Sequence, residues 1–305
     1  LVANTEAPGR QWVYVTRRFA AIQRNIALRQ PEVDDGNTKL RGVVASLNRT
    51  FWCETALHHA IVAGSWGKNT AIRPPSDIDL FFILPVDIFH QFNTRAGNGQ
   101  SQLLQHVREA LRITYPQTVI RGDGQVVVVG FNSIEIEVIP AFPAQGGGYL
   151  ICDTNGGGSW KRVNPSSEID DLTNVDHSFH GNVRKVTRIL KQWKRHCDVP
   201  IKSFHIEVLV REALAKIDYG FRDEFWFDWI VREVFLHMCG RAGGGFFMPG
   251  GYAEWIDLGD GWQSKAWSAY KHAFAACNYE RANLNLSAGA EGQKVFGPAV
   301  PEMGI

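Results

Sequence analysis

Apolar residues recur at helical spacing over residues 11–30, where Trp12, Val15, Phe19, Ile22 and Ile26 form one stripe. A second stripe, Leu40, Val43, Val44, Leu47 and Phe51, predicts a helix over 38–57 capped by Asn37 or Thr38, with turn chemistry at 31–37 before it. The period then changes. An apolar run at 60–63 leads into Gly64-Ser65, and Asp77-Ile78-Asp79 opens a strand-like run towards Pro85. Residues 101–113 return to helical spacing and stop before Tyr115-Pro116, because the residue preceding a proline avoids the helical region. Three strands are predicted at 118–121, 125–131 and 134–139, separated by Gly122-Asp123-Gly124 and Asn132-Ser133. Glycine clusters at 146–148 and 156–158 mark a flexible loop and a lobe boundary near residue 165. Beyond it the spacing is helical at 181–196, 225–239 and 264–281. A glycine-rich connector or lid lies at 240–251, and the tail from Asn283 reads as an irregular or frayed strap.

Strand alternation places chemistry as well as core. Asp77 and Asp79 share one face, while Ile78, Leu80 and Phe82 take the other. Two carboxylates on one face repel, and a divalent cation between them is the usual remedy. Gly64-Ser65 offers backbone N–H groups and a hydroxyl, with glycine permitting close approach of an anion. A phosphate cradle ahead of a carboxylate pair is the layout of metal-dependent nucleotidyl transfer. The plainer alternative is an ordinary turn followed by a solvated acidic strand start. On 134–139, Glu135 and Glu137 also share a face, and alternation cannot choose between them.

Gly-Ser, a spacer, then Asp-x-Asp resembles the signature of the DNA polymerase β-like nucleotidyltransferases. The fuller run, Gly64-Ser65, Thr70-Ala71-Ile72-Arg73 and Ser76-Asp77-Ile78-Asp79-Leu80, resembles the bacterial cGAS/DncV-like nucleotidyltransferases of antiphage signalling. Asn69 departs from that pattern, which commonly has Gly there. The resemblance places a third carboxylate three residues before a Pro-Ala-Phe; Glu137 stands in register with Pro140-Ala141-Phe142, with Glu where the family usually has Asp. Leu190-Lys191-x-Trp193-Lys194 followed by Lys202-Ser203-Phe204-His205-x-Glu207 resembles the family's second-lobe nucleotide motif. What the resemblance implies is an α+β, two-lobed enzyme. Residues 1–165 would form a mixed-sheet catalytic lobe with N-terminal bracing helices, and 166–305 a helical nucleotide-binding lobe.

By the same resemblance, Asp77, Asp79 and Glu137 are the catalytic residues and hold two Mg²⁺ ions, with Mn²⁺ as a substitute. Gly64, Ser65, Lys191, Ser203 and Phe204 would bind nucleotide, Phe204 beneath a base. Solvation for Lys191 and core packing for Phe204 are the plain alternatives. The implied activity is the joining of ATP and GTP into a cyclic di- or oligonucleotide second messenger with release of pyrophosphate. Two rivals stand beside it: a linear, oligoadenylate-type transferase acting on nucleotide or RNA, and a nucleotide sensor that has lost catalysis.

Composition narrows these. The chain has 305 residues, 45% of them hydrophobic, which is enough for one or two domains. A net charge of +1 advertises no nucleic-acid partner and disfavours the RNA-bound rival. Cys53, Cys152, Cys197, Cys239 and Cys277 are scattered, with no Cys-x-x-Cys, which suits a reducing cytoplasm. The start, Leu1 to Glu6, has no basic-then-apolar pattern of a signal peptide, and the apolar run at 80–86 is too short to span a membrane. A monomer, open to a regulatory protein partner, is the expected state.

Overall fold

The computed structural model describes residues 13–249, 252 and 254–303. Trp12 of the first stripe, Gly250 and Gly251 of the glycine-rich loop, and the start read for a signal peptide lie outside the described residues. The chain packs as two units. One holds Leu28–Thr173 and Met248–Glu254, the other Leu1–Ala27, Asn174–Phe247 and Trp255–Ile305. The dividing point near 165 is instead the start of a helix, α6 (Pro165–Ser178), and the two N-terminal helices part company. α1 (Val13–Ile26) belongs to the second unit and α2 (Gln30–Phe51) to the first.

The first unit is built on a seven-stranded mixed sheet. Its strands are β1 (Ala60–Val62), β2 (Asp77–Ile83), β3 (Val119–Asp123), β4 (Val126–Gly130), β5 (Glu135–Pro143), β6 (Tyr149–Asp153) and β7 (Ser159–Val163). The order is β1-β2-β5-β4-β3, with β6 pairing the end of β5 and β7 pairing β6. Among the described residues of this sheet only β2 and β5 run parallel. Ile78, Leu80 and Phe82 on β2 are almost fully buried, in one core with Val43, Val44 and Leu47 of α2 and Leu103, Val107 and Leu111 of α5 (Gly99–Thr114). Each such side chain stabilises by roughly 1.5–3 kcal/mol. The opposite face carries a smaller cluster, Ile139, Ala141 and Ile151 with Phe81, Val126, Tyr149 and Val163, beside the acidic residues.

Three local expectations change. Residues 31–37 are helical, not a turn. Pro31 sits in the first turn, where its missing N–H costs nothing. Glu32 accepts the Arg29 N–H at 2.7 Å, and Gly36 is small because the Trp66 ring lies where a Cβ would go. Residues 86–93, not predicted as a helix, form α4 (Val86–Asn93). The glycine clusters at 146–148 and 156–158 are the turns of the β5–β6 and β6–β7 hairpins, with positive φ at all six glycines.

The second unit is helical: α1, α7 (Asn182–His196), α8 (Ser203–Leu214), α9 (Phe227–Arg241), α10 (Gln263–Arg281) and α11 (Asn285–Phe296), with a short hairpin, β8 (Gly245–Phe247) and β9 (Trp255–Asp257), in place of a bare connector. Val183, Val186, Ile189, Leu190 and Trp193 of α7 are fully buried, the Trp193 indole edge-on to Phe235. A buried Arg18–Glu280 ion pair joins α1 to α10. The tail is α11 rather than a strap. Its small residues serve packing: a Cβ on Gly289 would come within 2.0 Å of the Glu302 carbonyl oxygen, and one on Gly292 within 3.2 Å of Val300.

Candidate active site

In the first unit the chain leaves β1 and enters a single helical turn, α3 (Gly64–Gly67). Gly67 N–H and Lys68 N–H close onto the Ala63 and Gly64 carbonyls at 2.9 and 3.0 Å, and the Thr70 N–H bonds the Ser65 carbonyl at 2.8 Å. The Gly-Ser pair therefore opens a tight turn, with Ser65 half-buried. Gly64 has φ +53°, and a Cβ there would lie 1.6 Å from Asp79 Oδ2. Only glycine admits the carboxylate at that position. The Ala63 N–H bonds the Asp79 carbonyl at 2.9 Å, so α3 is stitched to β2 by backbone as well. Asn69 sits at φ +54°, a left-handed position that glycine occupies freely and asparagine tolerates best among the rest. That is the physical sense of the departure noted in the sequence.

The linker to the acidic pair is anchored at both ends. Lys68, buried, lies 3.7 Å from Glu168, and Arg73 donates to both Glu32 oxygens at 2.9 and 3.0 Å. β2 then sets Asp77 opposite Glu135 and Asp79 opposite Glu137 on β5. Adjacent strands are about 4.7–4.9 Å apart, so four acids share one small area. Ser76 donates to Asp77 at 2.5 Å. The register supplies each Asp with a Glu and so does not choose between the two glutamates; their surroundings differ. Arg121 on β3 grips both Glu135 oxygens at 3.1 and 3.3 Å. Burial, then the charges of Asp77 and Asp79, pushes the Glu137 carboxyl up to about 7. Among the described residues no three His, Cys, Asp or Glu side chains are grouped tightly enough to ligate one ion as they stand. What fits a hard divalent cation is the donor chemistry: oxygen donors only, with negative charge crowded on Glu137.

The second unit carries the residues read as nucleotide-binding from the helical motif. Lys191 and Lys194, both half-buried, lie on α7, and Ser203 is the first residue of α8. Ser203 Oγ is 3.4 Å from Lys194 Nζ. Phe204 is half-buried and packs edge-to-face on Phe246, ring centroids 5.7 Å apart. The eight predicted residues thus fall into two groups: Gly64, Ser65, Asp77, Asp79 and Glu137 in the sheet unit, and Lys191, Ser203 and Phe204 in the helical one. Sequence reasoning passed over Arg121: the β5-β4-β3 register sets it level with Glu137, and its side chain reaches diagonally to Glu135. Lys194 stands in the quoted motif but received no role there, although its spacing of three from Lys191 on a helix was the available signal.

A mixed sheet carrying the acids on parallel strands behind a Gly-Ser turn, with a separate helical unit, defines a polymerase β-like nucleotidyltransferase fold. Residues 14–176 match the Second Messenger Oligonucleotide or Dinucleotide Synthetase domain, and the chain belongs to that family. It is 26% identical over 171 residues to a cyclic AMP-AMP-AMP synthase of Acinetobacter, covering 55% of this chain and 49% of that protein. The chain spans about half the length of the curated relatives it matches. Among solved structures it is similar to E. coli MS115-1 CdnC in its complex with HORMA-deltaN, with TM-score 0.66, 16% identity, and coverage of 96% of this chain and 100% of that one. It is also similar to the Vibrio cholerae DncV cyclic AMP-GMP synthase in complex with the linear intermediate 5' pppA(3',5')pG, with TM-score 0.65, 13% identity, and coverage of 96% and 88%. No helix among the described residues is long and apolar enough to cross a membrane.

Proposed function

We propose that this chain joins nucleoside triphosphates into a cyclic di- or oligonucleotide second messenger in antiphage defence, releasing pyrophosphate at each transfer. The observation that carries the reading is the β2–β5 register, which sets Asp79, its carboxylate packed on Gly64, against Glu137. Asp77, Asp79 and Glu137 would hold two Mg²⁺ ions, or Mn²⁺ in their place. Bound there, the ions supply Lewis acidity to the attacking ribose hydroxyl and neutralise charge on the leaving pyrophosphate. The protein's part is positional. In the sheet unit Gly64 and Ser65 would present N–H and hydroxyl donors to phosphate; in the helical unit Lys191 and Ser203 would present an ammonium group and a hydroxyl to phosphate oxygens. Phe204 supports a base through its ring face. Arg121 occupies Glu135 and leaves Glu137 as the acid available beside Asp79.

Ring closure needs two transfers, the second on a linear product. The DncV neighbour holding a linear intermediate supports that order, and the Acinetobacter relative extends the product class to a three-nucleotide ring. ATP and GTP are the proposed substrates. A regulatory protein partner is proposed from the CdnC neighbour, which was solved with HORMA-deltaN. The test is incubation with labelled ATP and GTP and Mg²⁺, followed by phosphatase and thin-layer separation. Phosphatase-resistant product that is missing from the Asp77→Asn/Asp79→Asn variant supports the proposal. Phosphatase-sensitive oligomers would make the enzyme a linear transferase, and no product under any nucleotide mixture would leave a sensor.

A further inference from the structure

We infer that Lys194 is a positioning residue for Ser203: it turns the Ser203 hydroxyl proton towards a bound polyphosphate and adds a second fixed positive charge beside it. This rests on the proposed reading of Lys191 and Ser203 as phosphate contacts. Lys194 Nζ lies 3.4 Å from Ser203 Oγ. An ammonium group carries three donors and no lone pair, so the hydroxyl oxygen must accept. Its own proton is then directed away from α7 and is free to donate. The distance is long for a hydrogen bond, which leaves the ammonium charge in reach of an anion that Ser203 also touches.

The pair is held by backbone rather than by the pair itself. Residues 197–202 turn the chain from α7 into α8. The Cys197 N–H bonds the Trp193 carbonyl at 2.9 Å, the Val199 N–H bonds the Lys194 carbonyl at 2.9 Å, and the Ile201 N–H bonds the Val199 carbonyl at 2.8 Å. Val199 and Ile201 are buried, and Lys265 donates to the Asp198 carbonyl at 3.0 Å and to that of Cys197. Ser203 therefore returns to the last turns of α7 whether or not Lys194 bonds it. Lys191 lies one turn earlier on the same helix, at the spacing where side chains are neighbours. Two ammonium groups and one oriented hydroxyl match a di- or triphosphate, whose several oxygens accept charge-assisted bonds together. A neutral nucleoside would gain nothing from them.

The experiment is calorimetric titration of the full chain with a non-hydrolysable ATP analogue, inorganic tripolyphosphate and adenosine. The variants are Lys194→Met, which keeps the aliphatic stem, Lys194→Arg, Ser203→Ala, the Lys194→Met/Ser203→Ala double variant, and Lys191→Ala. Melting temperatures certify the fold of each. Lys194→Met should weaken both phosphate ligands about tenfold and leave adenosine unchanged, with Lys194→Arg within about threefold of wild type. The double variant should lose little beyond Lys194→Met alone, because the hydroxyl is no longer oriented once the lysine is gone. Wild-type affinity in Lys194→Met, or losses that multiply fully in the double variant, would overturn the inference while Lys191→Ala and Ser203→Ala still support a phosphate site. Unchanged affinity in those last two would sink the phosphate reading itself, and this inference with it. If Lys194→Met does not fold, Lys194→Gln takes its place: an about tenfold loss for both phosphate ligands with adenosine unchanged supports the inference, and wild-type affinity or a loss shared by adenosine overturns it.

Discussion

The two units collect opposite charge by different means. In the sheet unit, acids are brought together against their mutual repulsion, and the backbone does the holding. Parallel pairing fixes Asp77 to Glu135 and Asp79 to Glu137, and a left-handed glycine makes room for a carboxylate. In the helical unit, lysines stand on successive turns of α7, spaced so that repulsion is modest, and the chain turn brings Ser203 to them. The difference teaches where each site is fragile. The acidic group should fail when the backbone is altered by a single methyl. The basic group should weaken when a lysine charge or the Ser203 hydroxyl is removed.

Four substitutions can break or sharpen that contrast. The largest effect belongs to Asp77→Asn with Asp79→Asn, which should reduce product formation by roughly 10²–10³ or more while the fold persists, as judged by an unchanged circular dichroism spectrum. Gly64→Ala comes next: a Cβ 1.6 Å from Asp79 Oδ2 at positive φ must displace the carboxylate, and a shift of that kind costs on the order of 10² in turnover. Normal kinetics in Gly64→Ala would show that the glycine is not what seats Asp79. Lys191→Ala should weaken triphosphate binding about tenfold, the size of one charge-assisted hydrogen bond, with melting temperature little changed. If Lys191→Ala instead unfolds the chain, its role is packing rather than charge.

The smallest effect lies away from both sites. Asp228, on α9, is buried beside Cys277 and Glu280, and burial raises its carboxyl from 3.8 to about 7. The folded chain therefore holds a proton that the unfolded chain releases above about pH 4. Stability is fully present below the unfolded value and declines as pH rises from about 4 to about 7, by up to a few kcal/mol for this group alone. Asp228→Asn can keep the acceptor for the Trp229 N–H and carries no proton to lose. Its melting temperature relative to wild type should rise across that window. A difference that stays flat with pH would show that Asp228 does not titrate there.

Much of the sheet unit was legible because alternation has a period of two and its errors are visible. Ile78, Leu80 and Phe82 inward with Asp77 and Asp79 opposite follows from seven residues of sequence. The helix over 30–37 was hidden by Pro31, Asp34, Asp35 and Gly36, residues that signal turns when read locally. Their helical role depends on a first-turn proline and on Trp66, which is distant in sequence. α11 was hidden for the same reason: its glycines answer to Val300 and Glu302, not to local flexibility. At the site, Glu135 and Glu137 look alike in sequence. What separates them is Arg121, two strands away across β4, and no period of a single segment encodes that neighbour.

The most direct measurement is manganese binding followed by electron paramagnetic resonance, in the presence of a non-hydrolysable triphosphate, for wild type, Glu137→Gln and Glu135→Gln. Glu137 joining Asp77 and Asp79 predicts that Glu137→Gln weakens Mn²⁺ binding at least about tenfold, the loss of one charged ligand, while Glu135→Gln stays within about threefold. Product formation should follow the same order. Intact binding in Glu137→Gln with loss in Glu135→Gln would contradict the assignment and place the third carboxylate opposite Asp77 instead.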